Sequence, residues 1–347
     1  MSAGLRPRLA CEVRPEGVVA ARADDAAGVL AAVAQAPLPV GAVVPGLKPG
    51  NLVQRAAVVS ALREALDALA LRTRDITLVV PDAAARVLLV EFDELPGKLA
   101  DALPLVRFRL KKMLPFEADD AAVSYQVMSS TRNMVKVLAV AMPAAVLEEY
   151  ESAVREAGYE PGAVLPSTLA ALAALVEDQE REAALVVNAS NHAVTTAIVR
   201  AGLVLLHRSI DMGLDARVEE EAEAVLEQAV QAEAEYGEGD VFSHALETEA
   251  VKTVVMSEAV IAHEVAQAIS VAAAYYEDTL GEAAGEILTS GPFGAEGLQS
   301  MVGMAEMDVL GIRSVRELMG PGQLLAGAVT STIPRGVLAG VAGALRA

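Results

Sequence analysis

Cysteine is nearly missing from this chain of 347 residues: Cys11 stands alone. A single thiol excludes a disulfide framework, a cysteine-rich zinc site and an iron–sulfur cluster, and it points to a reducing compartment. Tryptophan is absent and aromatics make up 3%, too few for base-stacking platforms or aromatic sugar clamps. Positive charge is short as well, with 27 Lys and Arg against 47 Asp and Glu, a net charge of −20. A surface this acidic repels phosphate backbones and anionic lipid, so neither nucleic-acid binding nor direct membrane binding is expected. Long apolar helices are lacking too. The longest uncharged run, Ala26 to Leu47, is broken by Pro37, Pro39 and Pro45, which a membrane span would not tolerate. The N-terminus carries arginines but no apolar stretch of the signal-peptide kind. The expectation is a cytoplasmic protein that meets a membrane only through a partner. Walker A and G-x-S-x-G sequences are missing. His192, His207, His244 and His263 show no metal-ligand spacing, so core or surface roles are expected for them.

What is present is apolar bulk. Hydrophobic residues reach 54%, enough for large cores, and the length suits about two domains. Residues 8–13 and 18–22 read as a hairpin around Arg14-Pro15-Glu16-Gly17. Residues 184–189 and 194–200 repeat that pattern around Ser190-Asn191-His192. The spacing of Val53, Ala57, Ala61, Leu62, Leu66 and Leu69 predicts an amphipathic helix over 51–70. Strands are expected at 75–81, 85–92, 123–129, 135–142 and 286–290, and helices at 97–113, 143–157, 254–281 and from 293. From Asp215 to Glu249 twelve residues are acidic and one, Arg217, is basic. This stretch reads as a solvated helix, with docking of a basic partner as the alternative. Arg107, Arg109, Lys111 and Lys112 form a basic cluster. It reads as a solvated face, or as a dock for an acidic partner or for the acidic stretch of a neighbouring copy. A hairpin opening each half, followed each time by strands and helices, is the plan of a duplicated actin-like fold.

Several stretches carry a more specific signal. RFRLKKMLPFEADDAAVSYQVM (107–128) has a charged helix, the turn Leu114-Pro115-Phe116, the acidic pair Asp119-Asp120, and a strand holding Tyr125-Gln126. PLPVGAVVPGLKPGNLVQRAAVVSALREAL (37–66), ITLVVPDAAARVLLVEFDELP (76–96), KVLAVAMPAAVLEEYESAVREAGYEPGAVLPSTLAALAAL (136–175), ALVVNASNHAVTTAIVRAGLVLLHRSIDMG (184–213), ILTSGPFGAEGL (287–298) and VLAGVAGALR (337–346) follow in order. Together they resemble the PilM family, the actin-like cytoplasmic proteins of type IV pilus assembly, over nearly the whole chain. The resemblance implies an α/β, actin-like (ribonuclease H-like) fold of two lobes, 1–180 and 181–347, with an inserted α+β subdomain at about 83–160. It implies a scaffold that grips the N-terminal cytoplasmic peptide of the PilN-like inner-membrane protein, in a groove between first lobe and subdomain. It further implies contact with other pilus assembly proteins. Leu110, Leu114 and Phe116 are the candidate walls of that groove, with a role in the subdomain core as the alternative. Self-association is a further expectation. The alternatives are the actin-like component of a type II secretion platform, or a nucleotide-binding actin-like ATPase.

The resemblance also places ATP-binding loops, and here the chain departs from its family. Glycine lets backbone approach phosphate, and an aspartate serves the magnesium ion. The first loop has Glu12, Arg14 and Pro15 before Gly17. The second has Asn188 and Ser190 in place of Asp and Gly. The third has Ser290-Gly291-Pro292, with Gly294 retained. Three erosions point to a degenerate cleft with no cofactor and no ATP hydrolysis. Weak binding of ATP and magnesium, with Arg14 pairing a phosphate, is the alternative. Arg14 is also expected to pair with an acidic group across the cleft.

Overall fold

The computed structural model describes residues 7–24, 28–69, 72–175, 183–212, 241–324 and 333–346, with only the backbone for 241–257. The expected acidic helix lies outside the described residues as far as Asp240.

Two five-stranded sheets share one topology. In the first, β1 (Leu9–Arg14), β2 (Gly17–Ala23), β3 (Leu30–Pro37), β4 (Asp75–Val80) and β8 (Glu160–Pro166) run in the order β3-β2-β1-β4-β8. In the second, β9 (Ala184–Ala189), β10 (Ala193–Arg200), β11 (Leu203–Asp211), β12 (Glu286–Ser290) and β13 (Ser314–Glu317) run in the order β11-β10-β9-β12-β13. In each sheet the first three strands in sequence are antiparallel and the last two pair parallel. The duplicated two-lobed, actin-like plan expected from the paired hairpins is therefore the architecture of the chain.

Apolar faces assemble each lobe. Helix α1 (Arg55–Asp67) buries Val58, Val59, Leu62 and Leu66 on the first sheet. Val53, expected on that face, precedes the helix and is exposed. Cys11 is fully enclosed in this core, and burial pushes its thiol pKa up. Helix α5 (Val241–Leu280) lays Val265, Ile269 and Tyr276 on the second sheet.

A three-stranded antiparallel sheet is inserted in the first lobe. It comprises β5 (Arg86–Phe92), β6 (Ala121–Ser130) and β7 (Val135–Pro143), in the order β5-β7-β6. Helix α2 (Leu99–Leu110) covers it with Val106 and Leu110. The next helix, α3 (Ala144–Glu156), returns Val146, Tyr150 and Val154 to the core of the first lobe. By packing, then, the inserted unit ends with β7, ahead of the boundary expected near 160.

A third core joins the lobes. Helices α4 (Ser167–Leu172) and α8 (Arg335–Ala344) lie between the sheets. They pack against Ala10, Val19 and Val79 on one side and Val186, Ala197 and Leu288 on the other. The two helices approach so closely that a Cβ on Gly343 would sit 1.7 Å from the carbonyl oxygen of Ala170. Two short helices complete the second lobe, α6 (Gly294–Val302) and α7 (Met304–Val309).

Candidate functional site

Above this shared core lies a cleft of about 260 Å³, and the hairpin turns of both lobes form its walls. Glu12, Arg14, Pro15, Glu16, Asn188, Ser190 and His192 all line it. The expectation that the two turns face each other is thereby met. Asp82, Ser167, Thr195 and Asp211 line it too.

A continuous polar chain crosses the floor. Arg14 donates to Glu12 Oε1 (2.9 Å), and Ser167 Oγ donates to the same oxygen (2.7 Å). The Thr168 backbone N–H donates to Asp82 Oδ1 (2.9 Å), and its hydroxyl donates to Asp82 Oδ2. Asn188, from the other lobe, donates from Nδ2 to Ser167 Oγ (3.1 Å) and to Thr168 Oγ1 (3.0 Å). Burial raises the pKa of Glu12 above its ordinary value, while the Arg14 guanidinium and the Ser167 hydroxyl pull it back. Arg14 pairs within its own hairpin, with Glu12 and with Glu16 at 3.8 Å. Among the described residues no acidic group across the cleft pairs with Arg14 as expected. Its place is taken by Glu16, which lies 3.9 Å from His192 Nε2 on the facing turn.

Groups that would cradle a triphosphate are missing or engaged at all three loops. Pro15 has no N–H to give. In the second loop Ser190 Oγ accepts from the N–H groups of His192 (3.2 Å) and Ala193 (3.3 Å). In the third, Gly291 N–H donates to Gly336 O (2.9 Å) and Ala295 N–H to Glu317 Oε1 (3.0 Å). Gly291 holds φ +101, and a Cβ there would meet Ala189 O at 2.4 Å, so this glycine serves packing of the second sheet. Gly17 pairs with Pro37 at the start of β2, and Gly294 opens α6 beside Glu317. The cleft wall carries Glu12, Glu16, Asp82 and Asp211 against Arg14, a charge balance that repels phosphate. This donor set does not fit a magnesium triphosphate. Among the described residues no group of three His, Cys, Asp or Glu is placed to hold a metal.

The cleft rim is a proline-rich loop secured from below. Glu149 of α3 accepts from the backbone N–H groups of Gly50 (2.9 Å), Asn51 (3.2 Å) and Leu52 (2.7 Å). Asn51, itself buried, accepts from Gly46 N–H (2.8 Å) and donates to Lys48 O (2.6 Å). Val44 and Pro45 of this loop face the cleft.

A second concavity, of about 220 Å³, separates the first lobe from the inserted sheet. Its walls come from β6, β7, α3 and β8, with Val123, Val140, Met142, Leu147 and Val164 apolar and Gly162 giving room. Both β6 and β8 are edge strands, so unpaired backbone flanks the groove. Leu110, Leu114 and Phe116 do not line it. Leu110, the last residue of α2, is fully buried against the inserted sheet, with Leu114 and Phe116 packed against the same core. The three candidate walls named from the resemblance thus lie on the α2 face of the inserted sheet, whereas Val140 and Met142 of this concavity point from its other face. The β6 alternation of Val123 and Tyr125 was visible, but it does not say which face meets a neighbour.

No protein-family model matches this chain, and no curated protein does. Among solved structures it is similar to the PilM-PilN type IV pilus biogenesis complex, at a TM-score of 0.70 and 16% identity over 98% of each chain. The cytoplasmic domain of EpsL, an inner-membrane component of the type II secretion system of Vibrio cholerae, matches at a TM-score of 0.38 and 14% identity. That match covers 60% of this chain and 74% of the other. A protein of actin-like ATPase fold and unknown function from Bacteroides thetaiotaomicron matches at 0.46 and 9% identity, over 89% of each. Over 98% of its length the chain aligns with the fold found in the PilM-PilN complex, the actin-like fold that its sequence resemblance implied.

Proposed function

We propose that this chain is a non-catalytic scaffold of a pilus-type assembly machine, holding an extended peptide from a PilN-like membrane protein in the groove between β6 and β8. The observation that carries this reading is the groove itself, an apolar trough bordered by two open sheet edges. An extended peptide can add main-chain hydrogen bonds to such an edge and drop alternate side chains into the trough. The similarity to the PilM-PilN complex supports the choice of partner. No helix among the described residues is long and apolar enough to cross a membrane. In this reading the protein works at the cytoplasmic face and is held there by its partner. The cleft between the lobes binds no nucleotide and hydrolyses none.

The test is fluorescence anisotropy with the labelled N-terminal peptide of a PilN-like protein. Val140→Asp and Leu147→Asp are expected to weaken binding by about 1–3 kcal/mol each, as altered interface anchors do. Phe116→Ala, on the far side of the inserted sheet, is expected to bind as wild type does. Peptide affinity that ignores the groove variants and falls with Phe116→Ala would move the partner to the α2 side.

A further inference from the structure

Asn188 lies one residue before the end of β9 in the second lobe, and its side chain reaches α4 of the first. Its Nδ2 donates to Ser167 Oγ at 3.1 Å and to Thr168 Oγ1 at 3.0 Å. Neither hydroxyl is free to reverse its role. Ser167 gives its proton to Glu12 Oε1 at 2.7 Å, and Thr168 gives its proton to Asp82. A hydroxyl has one proton to give. With both committed to carboxylates, the two oxygens can only accept, and whatever faces them must donate. An amide does so, whereas an ionised aspartate is acceptor-only and would face two oxygens that also need a donor. Ser167 and Thr168 are both nearly inaccessible to water, so an unmet acceptor there is costly.

The family resemblance implies an aspartate at this position, serving a magnesium ion. We infer that Asn188 is an inter-lobe latch: the residue closes the cleft by donating to Ser167 and Thr168, which an ionised aspartate at this position could not do. The lobes of this chain are joined by a protein hydrogen-bond chain, Arg14–Glu12–Ser167–Asn188–Thr168–Asp82, and their closure is independent of ligand. This inference does not depend on where a partner peptide docks.

Hydrogen exchange of the full chain tests it. Asn188→Asp keeps the shape and removes the donor. Amides of 167–172 and 189–193 are expected to exchange on the order of tenfold faster or more, from the loss of a buried satisfied network, with the core of α1 unchanged. Asn188→Ala is expected to fall between wild type and Asn188→Asp, because it removes the donor without adding a charge beside Glu12 and Asp82. A merely space-filling Asn188 would reverse that order and overturn the inference. Magnesium-ATP is expected to leave wild-type exchange at these amides unchanged, and strong added protection would also overturn it. Should Asn188→Asp not fold, Asn188→Ala is compared with the pair Ser167→Ala and Thr168→Val. Non-additive effects support the latch, and additive effects overturn it.

Discussion

Glu12 is a carboxylate buried at the cleft between the lobes, and its energetics follow from that position. Burial raises its pKa above 4.5, against the pull of Arg14 and Ser167. A folded state that holds a proton more tightly than the unfolded chain gains stability as the solution becomes more acid. That contribution is fully present below the unfolded value and is lost as pH rises through the raised folded value. Urea midpoints measured between about pH 4 and about pH 8 should show this slope in wild type and lose it in Glu12→Gln. The same slope in the variant would assign it to another carboxylate. The sequence exposed part of this site. Glu12, Arg14, Asn188 and Ser190 sit at hairpin turns, and the repeated hairpin pattern made those turns conspicuous. Asp82, Ser167 and Thr168 gave no such signal. They lie in VVPDAAA and PSTLAAL, where a polar residue beside a proline reads as an ordinary turn or helix start. Only the fold brings Ser167 to Glu12, 155 positions away.

The crossing of α4 and α8 is the tightest element contact in the shared core. A Cβ at Gly343 would overlap Ala170 O, and at Gly340 it would lie 2.2 Å from Glu12 Oε2. Alanine raises intrinsic helix propensity by about 1 kcal/mol over glycine, yet forcing the helices apart costs about 1–3 kcal/mol or more. Gly343→Ala is therefore expected to lower the unfolding free energy, read from equilibrium urea titration. An unchanged or higher midpoint would mean that the pair separates freely. The same glycines hid α8 from sequence reasoning, since RGVLAGVAGA holds three and a helix pattern seldom tolerates so many. β8 was hidden by Pro161, Gly162 and Pro166, which an edge strand accommodates because one side of its backbone has no partner. β3, LAAVAQAP, is poor in β-branched residues and runs into prolines. Among the described residues its ladder is with β2, apart from a single bridge from Leu30 to Leu324. α1 was legible because it buries one face of a helical repeat, and the hairpins and β4 because strands buried on both faces read as short apolar runs bounded by turn residues.

At the scale of the molecule, two lobes share a core and a polar chain that needs no ligand. Millimolar magnesium-ATP is accordingly expected to leave the melting temperature unchanged. A nucleotide held with a Kd of about 10 μM would add about 2.7 kcal/mol at a hundredfold excess, a rise of a few degrees for a chain of this size. Such a rise, absent in Arg14→Ala, would restore a nucleotide-regulated reading. The placement of Glu149 has one more consequence. Leu147 and Glu151 on α3 line the groove, while Glu149, between them and turned to the opposite side of the helix, carries the loop that forms the cleft rim. The helix is a shaft with a load on each face. Groove wall and cleft rim therefore hang on one rigid element, and any rotation of α3 about its axis would displace both together.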